Sequence, residues 1–138
     1  MNTLVAEARA AHLGPDGSES PVTVRLVWRA SYPWAVEATF RCRVDPAEDP
    51  VWLLCRELLW DGIDNPVGAG DVGVRPIDDC QRVELFLSSP DGCAATALSA
   101  AALAAFLAIT YQQVPAGEEL LWAPMDDELI ELLNGSDR

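Results

Sequence analysis

The sequence contains no lysine, and its only histidine is His12. Its nine basic residues are all arginines, and 22 acidic residues oppose them, giving a formal net charge of −13. A chain this acidic repels phosphate backbones and anionic lipid headgroups, so we expect no nucleic-acid partner. The acid pairs Asp78–Asp79 and Glu118–Glu119 lie in predicted loops, where we expect a solvated acidic surface.

Cysteine is also scarce and unclustered, since no two of the four residues form a Cys-x-x-Cys pair. A zinc site needs several thiolates or imidazoles close together, and a serine or cysteine nucleophile needs a nearby general base. With one histidine beside a glycine-rich turn, we expect no catalytic site, no metal and no cofactor. We predict reduced thiols that mostly act as small core residues, at Cys42, Cys55, Cys80 and Cys93.

A basic, apolar leader is absent from the N-terminus, which indicates a cytoplasmic protein. The uncharged stretch at residues 92–117 contains a segment, 94–111, with the length of a membrane span. Alanine rather than leucine dominates this segment, polar residues interrupt it, and no arginine anchors its ends. We therefore predict a buried helix and no transmembrane segment.

Alternating apolar and polar residues predict β-strands through most of the first hundred residues. The pattern at 22–28 places Trp28 on a buried face, and the pattern at 36–44 does the same for Phe40 and Cys42. Further strands are predicted at 3–13, 51–54, 72–77, 83–87 and 93–98. A short helix follows the fourth strand and ends before Gly62.

Two helices are predicted near the C-terminus. Ser99 suits the N-cap of a helix that runs to Gln113, and Pro115 ends it. A linker at 115–123 then leads into a helix at 124–133, whose first turn is acidic. The order of elements predicts one α+β domain over residues 1–138, with antiparallel sheets and helices packed on them.

Several motifs, taken in order, resemble the SsgA-like proteins of sporulating actinomycetes. They are PWAVEATF at 33–40, WLLCRELLWDG at 52–62, GAGDVGVRP at 68–76, LSSPDG at 87–92, Phe106-Leu107, VPAGEE at 114–119 and the acidic helix at 126–133. Each motif alone is weak evidence for the resemblance, but the order and spacing of all of them together are specific to this family. The residues just before Trp34 depart from the family pattern and the N-terminal residues match poorly, which leaves the paralogue open.

The resemblance implies a non-enzymatic regulator of cell division and sporulation that acts at the division septum through protein–protein contacts. The partners it implies are FtsZ, the tubulin-like division protein, or cell-wall enzymes. It also implies a homotrimer of subunits with a whirly-like fold, the fold of a class of single-stranded nucleic-acid-binding proteins. Single-stranded nucleic-acid binding is therefore the alternative function, which the absence of a basic groove disfavours.

Trp60 and the C-terminal helix are the predicted partner or subunit contacts. An exposed tryptophan buries a large area on binding, although a partly buried core position is the plainer interpretation of Trp60. An isolated short helix must pack on something, whether its own sheet, a neighbouring subunit or a partner. Its predicted contact residues are Leu129, Leu132 and Leu133. The uncharged, alanine-rich helix at 99–113 further predicts a homo-oligomer.

Overall fold

The computed structural model describes residues 3–41, 49–90 and 92–122, and these contain eight strands and three helices. The strands are β1 (Thr3–Leu13), β2 (Glu19–Arg29), β3 (Tyr32–Arg41), β4 (Val51–Cys55), β5 (Val67–Ala69), β6 (Val72–Ile77), β7 (Arg82–Ser89) and β8 (Gly92–Ser99). The helices are α1 (Arg56–Gly62), α2 (Ala100–Gln113) and α3 (Glu119–Trp122). The linker predicted at 115–123 contains the short helix α3, which the sequence did not predict. The predicted helix at 124–133 lies outside the described residues.

The eight strands form one antiparallel sheet, in the order β4-β3-β2-β1-β8-β7-β6-β5. Two four-stranded halves meet where residues 10–13 of β1 pair with residues 95–98 of β8. The predicted α+β class is confirmed, but the separate antiparallel sheets expected from the sequence are one continuous sheet. Along the chain, four strands followed by a helix occur twice.

One face of the sheet, the inner face, carries the hydrophobic core. Side chains alternate between the two faces of a strand, so every second residue of β2, β3 and β7 points inward. Trp28 is fully buried as predicted, and its indole N–H donates to the carbonyl oxygen of Pro33 at 3.1 Å. The other buried strand residues of the core are Val22, Val24, Leu26, Val36, Ala38, Phe40, Leu54, Val74, Val83, Leu85, Leu87 and Leu98.

Helices α1 and α2 pack on the inner face and close the core. Their buried apolar residues include Leu59, Leu103, Phe106 and Leu107. Ser99 caps α2 as predicted, since its Oγ accepts a hydrogen bond from the N–H of Ala102 at 3.1 Å. At the end of α1, a Cβ on Gly62 would stand 2.1 Å from Cγ1 of Val74, so only glycine allows α1 to lie this close to β6.

The opposite, outer face of the sheet collects arginines that are scattered in the sequence. Strand register places six on this face: Arg9, Arg25, Arg29, Arg41, Arg75 and Arg82. Nε of Arg75 donates to Glu84 at 2.8 Å, and this hydrogen bond raises the pKa of Arg75. Arg82 forms ion pairs with Glu19 and Asp78. The outer face is therefore much less acidic than the chain as a whole.

The prediction that most cysteines are core residues is wrong for the three that the structure describes. Cys55, Cys80 and Cys93 are exposed free thiols. Cys55 and Cys93 lie near strand ends, and Cys80 lies in the β6–β7 turn with a φ of 67°. Strand ends and turns project beyond the core, so a small apolar side chain there stays in contact with water. Cys42 lies outside the described residues.

Candidate protein-binding surface

Arg56 is the first residue of α1, and only 1% of it is exposed. A buried guanidinium must replace its hydration with protein hydrogen bonds, because an unpaired interior charge is strongly destabilising. Its Nη1 donates to the carbonyl oxygens of Thr110 and Val114 at 3.1 and 2.9 Å. These carbonyls lie at the C-terminal end of α2, where the helix dipole favours a positive charge.

Glu119 is the acidic partner of Arg56. Nη2 of Arg56 donates to its Oε2 at 2.9 Å, and the N–H of Gly117 donates to its Oε1 at 2.9 Å. Partial burial pushes the pKa of Glu119 up, but hydrogen bonds from the backbone and Arg56 outweigh burial and hold it below its ordinary value. The prediction of a solvated acid pair is therefore wrong for Glu119. Because α3 begins at Glu119, this ion pair fixes α3 to α1.

Trp60 lies one helical turn after Arg56, on the same side of α1. Its ring packs edge-to-face on Tyr111 of α2, with ring centroids 5.4 Å apart. The guanidinium carbon of Arg56 lies 4.0 Å from the centre of the Tyr111 ring, a cation–π geometry. Burial raises the pKa of Tyr111, and the Arg56 charge partly opposes that rise. Trp60 itself is 41% exposed, so it belongs to the surface rather than to the core.

Three consecutive apolar side chains follow Glu119 in α3, and all three are exposed. The exposed fractions are 58% for Leu120, 80% for Leu121 and 47% for Trp122. We call Trp60, Tyr111 and residues 120–122 the Trp60 surface. Arg56 contacts both Tyr111 and Glu119, so one buried cation positions both parts of it. Clustered large apolar side chains that remain in water are typical of protein-binding surfaces.

The structure places one predicted contact residue, Trp60, on this surface. Leu129, Leu132 and Leu133 lie outside the described residues. Sequence patterns did not identify Arg56, Tyr111 or the residues of α3 as parts of this surface. One signal was available, because Arg56 is the only cation in the largely apolar run at 51–60. Its partner Glu119 is 63 positions away, and no local pattern connects the two.

The described residues were also searched for metal-binding groups and for membrane-spanning helices. Across residues 3–41, 49–90 and 92–122, no group of three histidine, cysteine or acidic side chains is placed to hold a metal ion. In those same ranges, no helix combines the length and the apolar character that crossing a bilayer requires.

Comparison with known protein families gives a match over most of the chain. Residues 22–119 match the family model described as Streptomyces sporulation and cell division protein, SsgA. The sporulation-specific cell division protein SsgB of Saccharopolyspora erythraea is 43% identical over 123 residues, covering 88% of this chain and 85% of that protein. SsgB of Streptomyces coelicolor is 36% identical over 136 residues, covering 96% of this chain and 98% of that protein.

Solved structures show the same similarity in three dimensions. An SsgA-like sporulation-specific cell division protein from Thermobifida fusca superposes with a TM-score of 0.82 at 35% identity, covering 94% of this chain and 95% of that chain. A second structure comes from work on SsgB mutations and longitudinal cell division during sporulation of Streptomyces coelicolor. It has a TM-score of 0.80 at 36% identity and covers 88% of this chain and 96% of that chain.

Proposed function

Because this chain belongs to the SsgA family of sporulation and cell division proteins, we propose that it is a non-enzymatic regulator of cell division that acts through protein–protein contacts. Its relatives are named sporulation-specific cell division proteins. The single observation that carries the proposal is the Trp60 surface, a set of exposed aromatic and aliphatic side chains on α1 and α3, two helices that the buried Arg56 joins.

The proposed partners are FtsZ or cell-wall enzymes at the division septum. With a net charge of −13, the chain gains little from charge attraction to an acidic partner. The apolar Trp60 surface supports a contact that does not depend on such attraction. We further propose that Leu129, Leu132 and Leu133 contribute to partner or subunit contact, since they follow the exposed residues of α3 in the sequence.

We also propose that the protein assembles as a homotrimer of subunits with a whirly-like topology. The repeated order of four strands and a helix supports this topology. The outward side of α2 supports self-association, because it carries no charge while the chain as a whole is strongly acidic. Its exposed residues include Ala101, Ala102, Ala105 and Ile109. Copies of a highly charged chain repel one another least where they meet through an uncharged surface.

The test replaces Trp60 by alanine and follows a fluorescent fusion in sporulating cells. Truncating a central interface aromatic typically costs about 2 kcal/mol or more of binding, roughly a thirtyfold loss of affinity. We therefore expect Trp60→Ala to lose septal localisation. Its melting temperature should stay close to that of the wild type, because the side chain is 41% exposed.

Phe86→Ala is the matched control, since Phe86 is 44% exposed and lies on the outer face, away from the helices. The control fusion should localise normally. A folded Trp60→Ala protein that still reaches the septum would contradict the Trp60 surface as the partner contact. A wild-type fusion that never concentrates at septa would contradict the proposed function itself.

A further inference from the structure

One half of the outer face has an unusual charge for this chain. The outward positions of β1–β4, within residues 3–9, 23–29, 35–41 and 51–55, carry four arginines and two glutamates. The chain as a whole carries 9 basic and 22 acidic residues. This half-face is therefore a positive area on a strongly negative molecule. We call it the acceptor face.

The arginines of the acceptor face are only loosely paired. Arg29 and Glu37 are 3.7 Å apart, as are Arg41 and Glu7, and the arginine side chains of both pairs are about half exposed. Arg9 and Arg25 form no ion pair with any residue that the structure describes. Exposed, loosely paired guanidiniums remain available to bind carboxylates.

Exposed aliphatic side chains lie among these arginines. Val5 is 48% exposed, Val51 57% and Leu53 66%. Strand register aligns Val5, Val27, Glu37 and Leu53 in one row across the sheet, and Val27 at its centre is buried. Guanidiniums alternating with aliphatic side chains match a segment that alternates carboxylates with leucines. A phosphate backbone would leave the aliphatic residues in water, so this surface favours a peptide.

The chain itself contains a segment of this chemistry. Residues 124–133 carry four acidic and no basic residues, together with Leu129, Ile130, Leu132 and Leu133. We propose that this segment of one copy, which we call the arm, binds the acceptor face of a second copy. The inference rests on the proposed homo-oligomer and identifies a contact within it.

The position of α3 points to a second copy rather than to the same chain. Arg56 holds the start of α3 and lies 5.8 Å from the ring of Trp28, a core residue of the inner face. Glu119, the first residue of α3, is therefore held on the inner side of the sheet, whereas the acceptor face lies on the outer side. A donor and an acceptor on opposite sides of one subunit produce a head-to-tail contact, which closes into a ring when the rotation between copies allows it.

The test measures the oligomeric state by sedimentation velocity. Arg25→Glu combined with Arg41→Glu should raise the oligomer dissociation constant by about tenfold or more, because carboxylates would then face the acidic arm. Arg75→Glu is the control, as it reverses one arginine, half the charge change of the double variant, on the other half of the outer face. It should leave the equilibrium unchanged. Asp127→Arg combined with Glu131→Arg should weaken the oligomer in the same way.

A protein that carries all four substitutions should form the oligomer again, because its acceptor face is then acidic and its arm basic. This rescue also separates lost contact from lost folding. An oligomer unaffected by either double reversal would overturn the arm contact and leave the proposed homo-oligomer intact. A wild-type protein that stays monomeric at high concentration would overturn both the arm contact and the proposed homo-oligomer. The proposed role in cell division would still be tested separately, by septal localisation of the fusion. Hydrogen exchange covers the remaining case. If the protein is a monomer, and residues 124–133 are protected in the wild type but not in the Arg25→Glu, Arg41→Glu variant, the arm binds its own sheet. That result would overturn the proposed binding to a second copy.

Discussion

Replacing Arg56 by methionine tests whether one buried cation holds α1, the end of α2 and α3 together. Methionine keeps much of the side-chain volume but removes every hydrogen bond of the guanidinium. The carbonyl oxygen of Thr110 keeps one hydrogen bond, because the N–H of Val114 also donates to it at 2.9 Å. The carboxylate of Glu119 loses its cation but keeps the N–H of Gly117.

The expected cost follows from these losses. Removing one member of a buried ion pair typically destabilises a protein by about 3–5 kcal/mol. Glu119 is 19% exposed, so water compensates part of its loss, which favours the lower half of that range. At roughly 3 °C for each kcal/mol, we expect the melting temperature to fall by about 10 °C. A loss of this size is a large fraction of the roughly 5–15 kcal/mol that stabilises an ordinary domain.

Urea denaturation followed by circular dichroism measures this cost, and the chain supplies its own control. Arg75→Met removes the Arg75–Glu84 ion pair, whose arginine side chain is 58% exposed. Exposed pairs contribute at most about 1 kcal/mol, so this variant should be nearly neutral. Equal costs for Arg56→Met and Arg75→Met would refute the role assigned to Arg56. A double-mutant cycle with Glu119→Gln should give a coupling of about 1–3 kcal/mol.

Three further predictions follow from particular contacts. Gly62→Ala should cost about 1–3 kcal/mol in the same denaturation assay, because its Cβ would overlap Val74; an unchanged midpoint would contradict the close approach of α1 to β6. The three exposed cysteines should react rapidly with a maleimide in the native protein, whereas protection of all three would contradict their positions. Glu119 has a lowered folded-state pKa, so the stability it contributes should be present above the ordinary glutamate pKa and lost as pH falls through the folded value. Glu119→Gln should flatten this part of the curve of stability against pH, and an identical acid limb in wild type and variant would argue against the effect.

Much of the fold could be predicted because its signals are local. Alternation along β2 and β3 identifies most of the residues that face the core, and a serine before an alanine-rich run identifies where α2 begins. The number of sheets could not be predicted in this way. The two halves join through only four paired residues of β1, at 10–13, and nothing in the sequence of either strand distinguishes that pairing from a free edge.

The cysteines show that the apolar chemistry of a thiol is by itself a poor guide to burial. Parity assigns a residue to a face of the sheet, but burial also requires neighbouring elements on that face. Cys55 ends β4 on the outer face, and Cys93 lies near the start of β8, so neither is covered by a helix or by a neighbouring strand's large side chain. The apolar character of a thiol is too weak to draw a strand end inward at the expense of backbone hydrogen bonds.

The acceptor face and the Arg56–Glu119 ion pair could not be predicted from the sequence, and the reason is the same for both. The net charge of −13 describes a sum, whereas binding depends on which charges share a surface. Arg25 and Arg41 are 16 positions apart in the chain, yet they project from adjacent strands of one half-face, and only the β2–β3 register reveals it. Arg56 shows the converse, since it is surrounded by apolar residues in sequence and nevertheless binds Glu119 across 63 positions. Contacts between residues far apart in the sequence therefore decide which charged side chains share a surface and which ones join elements around the core. The amino-acid composition is the same in either case, so it cannot distinguish them.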